Sequence, residues 1–272
     1  MEPASNPNPI PFEPRVKRSH WTVIIVVLTL LVVVGGWFVT QKIKQTIGWF
    51  RNTKQEVVQG NYSESRFNSS FFRAYDPEIK TAKLVLNGGE GIYLLHNSTG
   101  NLFDADAVLF HSRYILTGLK NGSSYGMYLS RKSKAKTNVS KASDTLDIRL
   151  NTAPVWDISV NTGASELNFD LSKYKVRNFK ISGSAGAFVI KTGMPVKETK
   201  ISLMIGAGDI TISIPKTAAC HITQRSTVSK AVFPGFDKKK DGSFETPGYS
   251  SAANKISISL MSGASDFKVN QY

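Results

Sequence analysis

The sequence predicts an all-β fold, a β-solenoid of stacked and bent rungs preceded by one transmembrane helix. Three observations predict it. A charge-free apolar run lies near the N-terminus, apolar and polar residues alternate from about Thr81 onward where helical periodicity is lost, and a recurring pair of small residues interrupts that alternation. The 272 residues are 41% apolar, enough for a buried core in one large or two small bodies.

Residues 1–18 begin "MEPASNPNPIPFEP", where prolines outnumber large apolar residues, the composition of a disordered tail. Residues 19–40 contain "WTVIIVVLTLLVVVGGWFV", an uncharged run that as a helix is about 30 Å long, the thickness of bilayer hydrocarbon. Trp21 at one end and Trp37 with Phe38 at the other suit the interfacial aromatic belts. A cleaved signal core is shorter and ends on small residues, so the run reads as an anchor. Arg15, Lys17 and Arg18 precede it, which favours a cytoplasmic N-terminus and a single-pass cell-membrane protein with its C-terminal domain outside. Residues 41–80 read as a juxtamembrane helix and linker. Ile43, Ile47 and Phe50 fall at helical spacing, which fits either an interfacial helix with Trp49 as a wedge or a continuation of the membrane helix into water.

Residues 81–272 form the expected solenoid. Aligned on the small pair, the copies are "LVLNGGEGIYLLH", "ISVNTGASELNFDLS", "FKISGSAGAFVIKTG", "ISLMIGAGDITISIP" and "ISISLMSGASDFKVN", with a weaker one, "KNGSSYGMYLS", from Lys120 to Ser130. The pairs are Gly88-Gly89, Gly163-Ala164, Ser184-Ala185, Gly206-Ala207 and Gly263-Ala264, each followed after two intervening residues by Ile92, Leu167, Phe188, Ile210 or Phe267. The three central copies are 21 and 22 residues apart, a spacing at which one unit makes one turn of a solenoid. Small residues suit a corner because the same position in the next turn lies only about 4.8 Å away. The alternative is a β-sandwich, whose strands recur at roughly half that spacing.

Chemistry is sparse. His20, His96, His111 and His221 make no zinc-binding pair, and although His96 and His111 could flank Asp104 and Asp106, "GNLFDADAVLF" reads as a turn into a strand. "GAGDI" lacks a phosphate-loop pattern and has no helix after it. Glu166, Asp209 and Asp266 share one repeat position, which a paired-carboxylate glycosidase could use but which a solvent-facing corner explains as well. Cys220 is the single cysteine, excludes an internal disulfide, and sits among apolar neighbours as a small buried residue. No catalytic residue, metal or cofactor is expected.

The net charge of +14 is more informative. "SRKSKAKTNVSK" lies in a segment from Ala107 to Ser143 that has no Asp or Glu, and Arg131, Lys132, Lys134 and Lys136 are its candidate polyanion-binding residues, for lipid head groups or an anionic wall polymer. A solvated loop fits the same residues. Nucleic acid is not expected, since no binding motif is present and an external body would not meet it.

The stretch from Pro154, "PVWDISVNTGASELNFDLSKYKVRNFKISGSAGAFVIKTGMP", with "ISLMIGAGDITISIPKTA", resembles the C-terminal domain of LiaF-like cell-envelope stress proteins and the related toastrack domains of bacterial surface proteins. Trp156-Asp157-Ile158, the Gly-Ala kinks, Asp170-Leu171 and Ile214-Pro215 carry the likeness, from Pro154 to Asn270. It implies a β-helix-like stack in a non-enzymatic, envelope-associated bacterial protein linked to stress response. LiaF-like proteins have several membrane spans and act on a sensor kinase, whereas this chain has one apolar run. The expected function is a membrane-anchored binding or scaffold module, with a cytoplasmic-facing kinase regulator and a surface adhesin as alternatives. The expected partners are the bilayer, an anionic polymer or head groups, and another membrane protein.

Overall fold

The computed structural model describes residues 68–110, 112–133 and 143–272, all within one compact unit. The strands in chain order are β1 (Asn68–Arg73), β2 (Thr81–Asn87), β3 (Gly91–Leu95), β4 (Phe103–Val108), β5 (Ser112–Asn121), β6 (Ser124–Ser133), β7 (Thr145–Leu150) and β8 (Val155–Asn161). They continue as β9 (Ala164–Leu171), β10 (Lys175–Thr192), β11 (Glu198–Ile214), β12 (Ala219–Val228), β13 (Ala231–Val232), β14 (Asp237–Lys238), β15 (Phe244–Glu245) and β16 (Lys255–Gln271). All belong to one sheet. Among the described residues no helix is long and apolar enough to cross a membrane; the run at residues 21–39 lies outside them.

Each rung has two arms joined at the small-residue corner. β10, β11 and β16 are long strands that pass through the corner, while β2 with β3 and β8 with β9 make the same two arms from separate strands. Neighbouring rungs are parallel and in register, with Ala185 beside both Ala164 and Ala207, and Ala207 beside Ala264. Short turns at the far end, residues 172–174, 193–197 and 215–218, lead from each second arm to the next first arm. Inward side chains of the two arms meet between them, as Phe169 and Phe179 do with ring centroids 6.1 Å apart.

Alternation decides which residues enter this core. In β11, Ile201, Leu203 and Ile205 are buried before the corner and Ile210, Ile212 and Ile214 after it. Stacking turns the alternation into ladders: Met127, Leu84, Ile158, Phe179, Ile201, Ile258 and Ile222 form one inward row across seven strands. Each such side chain contributes about 1.5–3 kcal/mol on burial.

The corner needs residues without side chains. Gly186 has φ 142° and Gly208 φ 145°, where an L side chain is strained, and a β-carbon at either would collide with a carbonyl oxygen of the adjacent rung, that of Ser165 or of Gly186.

Four expectations are corrected. The first copy is out of step by one residue: Tyr93, not Ile92, stands beside Leu167, because Gly89-Glu90 rather than Gly88-Gly89 is level with Gly163-Ala164, the corner being as long as the others. A slip of one residue exchanges the faces, so Tyr93 is buried and Ile92 lies outward. The weak copy at Lys120 to Ser130 is no corner. It is an antiparallel hairpin of β5 and β6 with Gly122 at φ 56° in a two-residue turn, as such hairpins favour. Rung order in space also departs from chain order. β2 lies between β6 and β8, and β16 lies between β11 and β12, so the first and last rungs are interleaved and only β8 through β11 coil in sequence. The sheet also starts at Asn68, inside the stretch read as linker, because β1 pairs with β4.

The end rungs are covered. On one side β5 pairs with β6 and β4 with β7, both antiparallel; on the other β15 pairs with β12 and β14 with β15. Antiparallel hairpins interrupt the parallel template on which another chain could add. At the first cap Asp144, 2% exposed, accepts hydrogen bonds from the Phe110 N–H (2.6 Å) and the Ser112 hydroxyl, and Arg131 Nη2 lies 3.7 Å from its Oδ2. Arg131 also packs over Gly89, where a β-carbon would strike its guanidinium.

Two outcomes follow from the corner and the cap. Gly208→Ala lowers unfolding stability in urea by about 3 kcal/mol or more, since backbone must move, whereas Gly122→Ala, with φ also positive but open space around it, loses only about 1 kcal/mol. Arg131→Ser removes the guanidinium 3.7 Å from the buried Asp144 carboxylate and costs about 3 kcal/mol, while Lys132→Ser, on an exposed side chain, changes the stability by less than about 0.5 kcal/mol.

Candidate functional site

The stack presents two broad outer faces of unlike charge. On the first arm, Lys83, Lys180 and Lys200 point outward among Ser159, Ser202, Ser257 and Ser259. Asp157 on this face is bound by Arg177 and Asn178 (Nδ2 to Oδ1, 2.7 Å). Burial alone would raise its carboxyl, but those hydrogen bonds outweigh it and hold the group below the usual carboxylate range. On the second arm, Glu166, Asp209 and Asp266 are exposed in one column with Ala187, and Asp106 and Asp147 continue the acidic character across β4 and β7. Hydrogen bonds from Arg149 (2.6 Å) and Ser70 (2.7 Å) keep Asp106 below its ordinary range.

Along the small-residue corner runs an open groove of about 480 Å³, lined by Asn161, Thr162, Ser182, Ser184, Met204 and Met261 among others. Met204 and Met261 are adjacent in register and 55% and 41% exposed. The row extends through an amide ladder, Asn161 Nδ2 donating to Asn87 Oδ1 (2.8 Å) and Asn87 Nδ2 to Ser130 Oγ (3.1 Å). Stacked amides and flexible thioethers make a surface that can adapt to an extended ligand. The signal was present in sequence, since "ISLM" precedes the corner in two copies, but only the register reveals that the methionines touch solvent together.

Of the residues singled out for polyanions, Arg131 is three-quarters buried at its side chain and is the counter-ion of Asp144; Lys132 is exposed on β6; Lys134 and Lys136 lie outside the described residues. Glu166, Asp209 and Asp266 do share one column, but Ala187 separates Glu166 from Asp209 by two rung spacings, about 9.5 Å. His111 also lies outside the described residues. Asp104 accepts from Thr99 and from Asn101 Nδ2 (2.9 Å) in the turn before β4, and no group of three metal-ligating side chains occurs among the described residues. Cys220 is fully buried, and burial pushes its thiol pKa well up, the opposite of a reactive thiolate. One histidine contact was not anticipated: His221 Nδ1 lies 3.1 Å from Glu245 Oε1, and Lys239 reaches the same carboxylate. It ties β12 to the covering strand β15.

A solved structure shares this architecture. A provisionally assigned cell adhesion protein from Clostridium sporogenes overlaps with a TM-score of 0.68 at 18% identity, covering 75% of this chain and 100% of that one. Provisionally assigned adhesins from Bacteroides fragilis and Parabacteroides merdae overlap at TM-scores of 0.31 and 0.24, with 12% and 10% identity, 75% and 78% of this chain covered, and 98% and 83% of theirs; these overlaps are too loose to argue from. No curated protein matches the sequence. At such identities the first similarity shows the fold. Residues 51–213 match the N-terminal domain of toast_rack, DUF2154, and with more than half of its length matched the chain belongs to that toast-rack family.

Proposed function

We propose that the protein is a non-enzymatic binding or scaffold module of a bacterial cell envelope, held at the membrane by residues 21–39 with its toast-rack body outside and serving envelope maintenance under stress. The observation that carries this reading is the shape of the body: an in-register stack with covered ends, whose concavity along the corner is an open groove and whose outer faces are broad and oppositely charged. Such a body offers extended contact area to a polymer, a membrane or another protein. A surface adhesin is the second reading, favoured by the fold shared with the clostridial cell adhesion protein.

Topology is tested by placing a cysteine at Val228, which is 69% exposed, and treating intact cells with a membrane-impermeant maleimide. Buried Cys220 does not compete. The proposal predicts labelling on intact cells; labelling only after lysis would place the body inside and favour a regulator of a membrane kinase. For the basic segment, replacing Lys132, Lys134 and Lys136 by Ser while keeping Arg131 lowers the affinity for anionic wall polymer by about tenfold or more at low salt, and raising the salt removes the difference. An unchanged affinity would leave the segment as a solvated loop.

A further inference from the structure

The turns opposite the small-residue corner combine charge and exposed apolar surface. Three of them, residues 172–174, 193–197 and 215–218, follow successive rungs along one edge, and each carries one exposed lysine: Lys173, Lys197 and Lys216. The middle turn is the longest. It holds Met194 and Val196, 51% and 60% exposed, on either side of buried Pro195. Thr217 Oγ1 lies 3.5 Å from Met194 Sδ, so this apolar tip sits against the following turn, where the Lys216 N–H donates to the Tyr272 carbonyl (2.9 Å). Half-exposed Tyr272 adds its ring, with Lys191 over it at 4.7 Å. Carboxylates along this edge are engaged: Asp170 by Lys191 (3.6 Å) and Glu198 by Lys200 (3.3 Å).

Exposed apolar side chains on a convex tip, rimmed by lysines, suit the boundary between lipid head groups and acyl chains. The apolar groups enter that boundary while the ammonium groups stay with the phosphates. A soluble polyanion would use the lysines and leave Met194 and Val196 without a role. We infer that this edge docks onto an anionic lipid surface, Met194 and Val196 entering the interface and Lys173, Lys197 and Lys216 contacting lipid phosphates. The inference rests on the membrane association proposed above. Residues 40–67, between the apolar run and β1, can extend about 90 Å, enough to let this edge of the body reach a bilayer.

Full-length protein carrying Val196→Cys, or Ser184→Cys at the opposite corner, is labelled with a polarity-sensitive fluorophore, Cys220 being buried. It is combined with vesicles of phosphatidylcholine alone or with phosphatidylglycerol added. Flotation with phosphatidylcholine vesicles tests membrane association by itself; its failure would sink the anchor and leave the docking edge to be judged on the anionic vesicles. Docking predicts that the Val196 label shifts to the blue and is quenched by spin-labelled lipid only when phosphatidylglycerol is present, while the Ser184 label stays aqueous. Replacing Lys173, Lys197 and Lys216 by Ser returns the spectrum to its aqueous position, and Met194→Ser diminishes the quenching. An aqueous Val196 label in both vesicle types, an equal response at Ser184, or an equal shift with soluble polyphosphate overturns the inference.

Discussion

Parallel rungs lie about 4.8 Å apart, and at a shared corner that spacing leaves no room for a β-carbon pointing along the stack. The rest of the structure depends on this constraint. Gly186 and Gly208 meet it by combining a positive φ with the absence of a side chain, and Ser165 and Ser265 occupy the neighbouring positions of the same row. With the corners in register, the arms on either side are in register too. The alternation of each strand then becomes a set of ladders, inward rows of Ile, Leu and Phe against outward rows of Ser, Thr, Asn and charged residues. The opposite charge of the two outer faces follows from that arithmetic, because a residue at one repeat position is multiplied by every rung that shares it.

Repetition also creates a problem, which the chain solves through its topology. A solenoid wound in simple sequence would leave its first and last rungs at the ends. Here each of those rungs is placed one position inward, β2 with β3 on one side and β16 on the other, and antiparallel hairpins cover what remains. Interleaving makes the body depend on contacts between residues far apart in the chain, such as β2 with β8 and β11 with β16, so neither end can be removed without exposing the core. The cap near β6 adds a buried polar group, Asp144, satisfied by backbone, hydroxyl and Arg131 together.

Much of the fold was legible because corner and alternation are local features. The alignment of Ala164, Ala185, Ala207 and Ala264 is the register found in the sheet. What escaped reading was non-local. Three glycines at the first corner, Gly88, Gly89 and Gly91, leave the choice of small pair open, and only the pairing of Asn87 with Asn161 and Gly91 with Ser165 places Gly89 at the corner and so exchanges the roles of Ile92 and Tyr93. Gly122-Ser123 looked like a corner because hairpin turns and solenoid corners favour the same small residues. Rung order was invisible, since similar repeats do not say which of them are neighbours. Arg131 read as free charge because its partner lies thirteen residues away, across a segment rich in lysine. Lys173, Lys197 and Lys216 seemed unrelated until the turns that carry them were stacked.

Interleaving of the last rung offers the most direct measurement of the whole account. Ser202 on β11 stands beside Ser259 on β16, which in turn stands beside Thr223 on β12. With cysteines at Ser202 and Ser259, mild oxidation of the folded protein should cross-link them rapidly, because adjacent strands lie within disulfide reach, whereas the Ser202 and Thr223 pair, two rungs apart at about 9.5 Å, should not react. Rapid closure of the Ser202 and Thr223 pair, with none between Ser202 and Ser259, would show a chain wound in simple order and contradict the architecture.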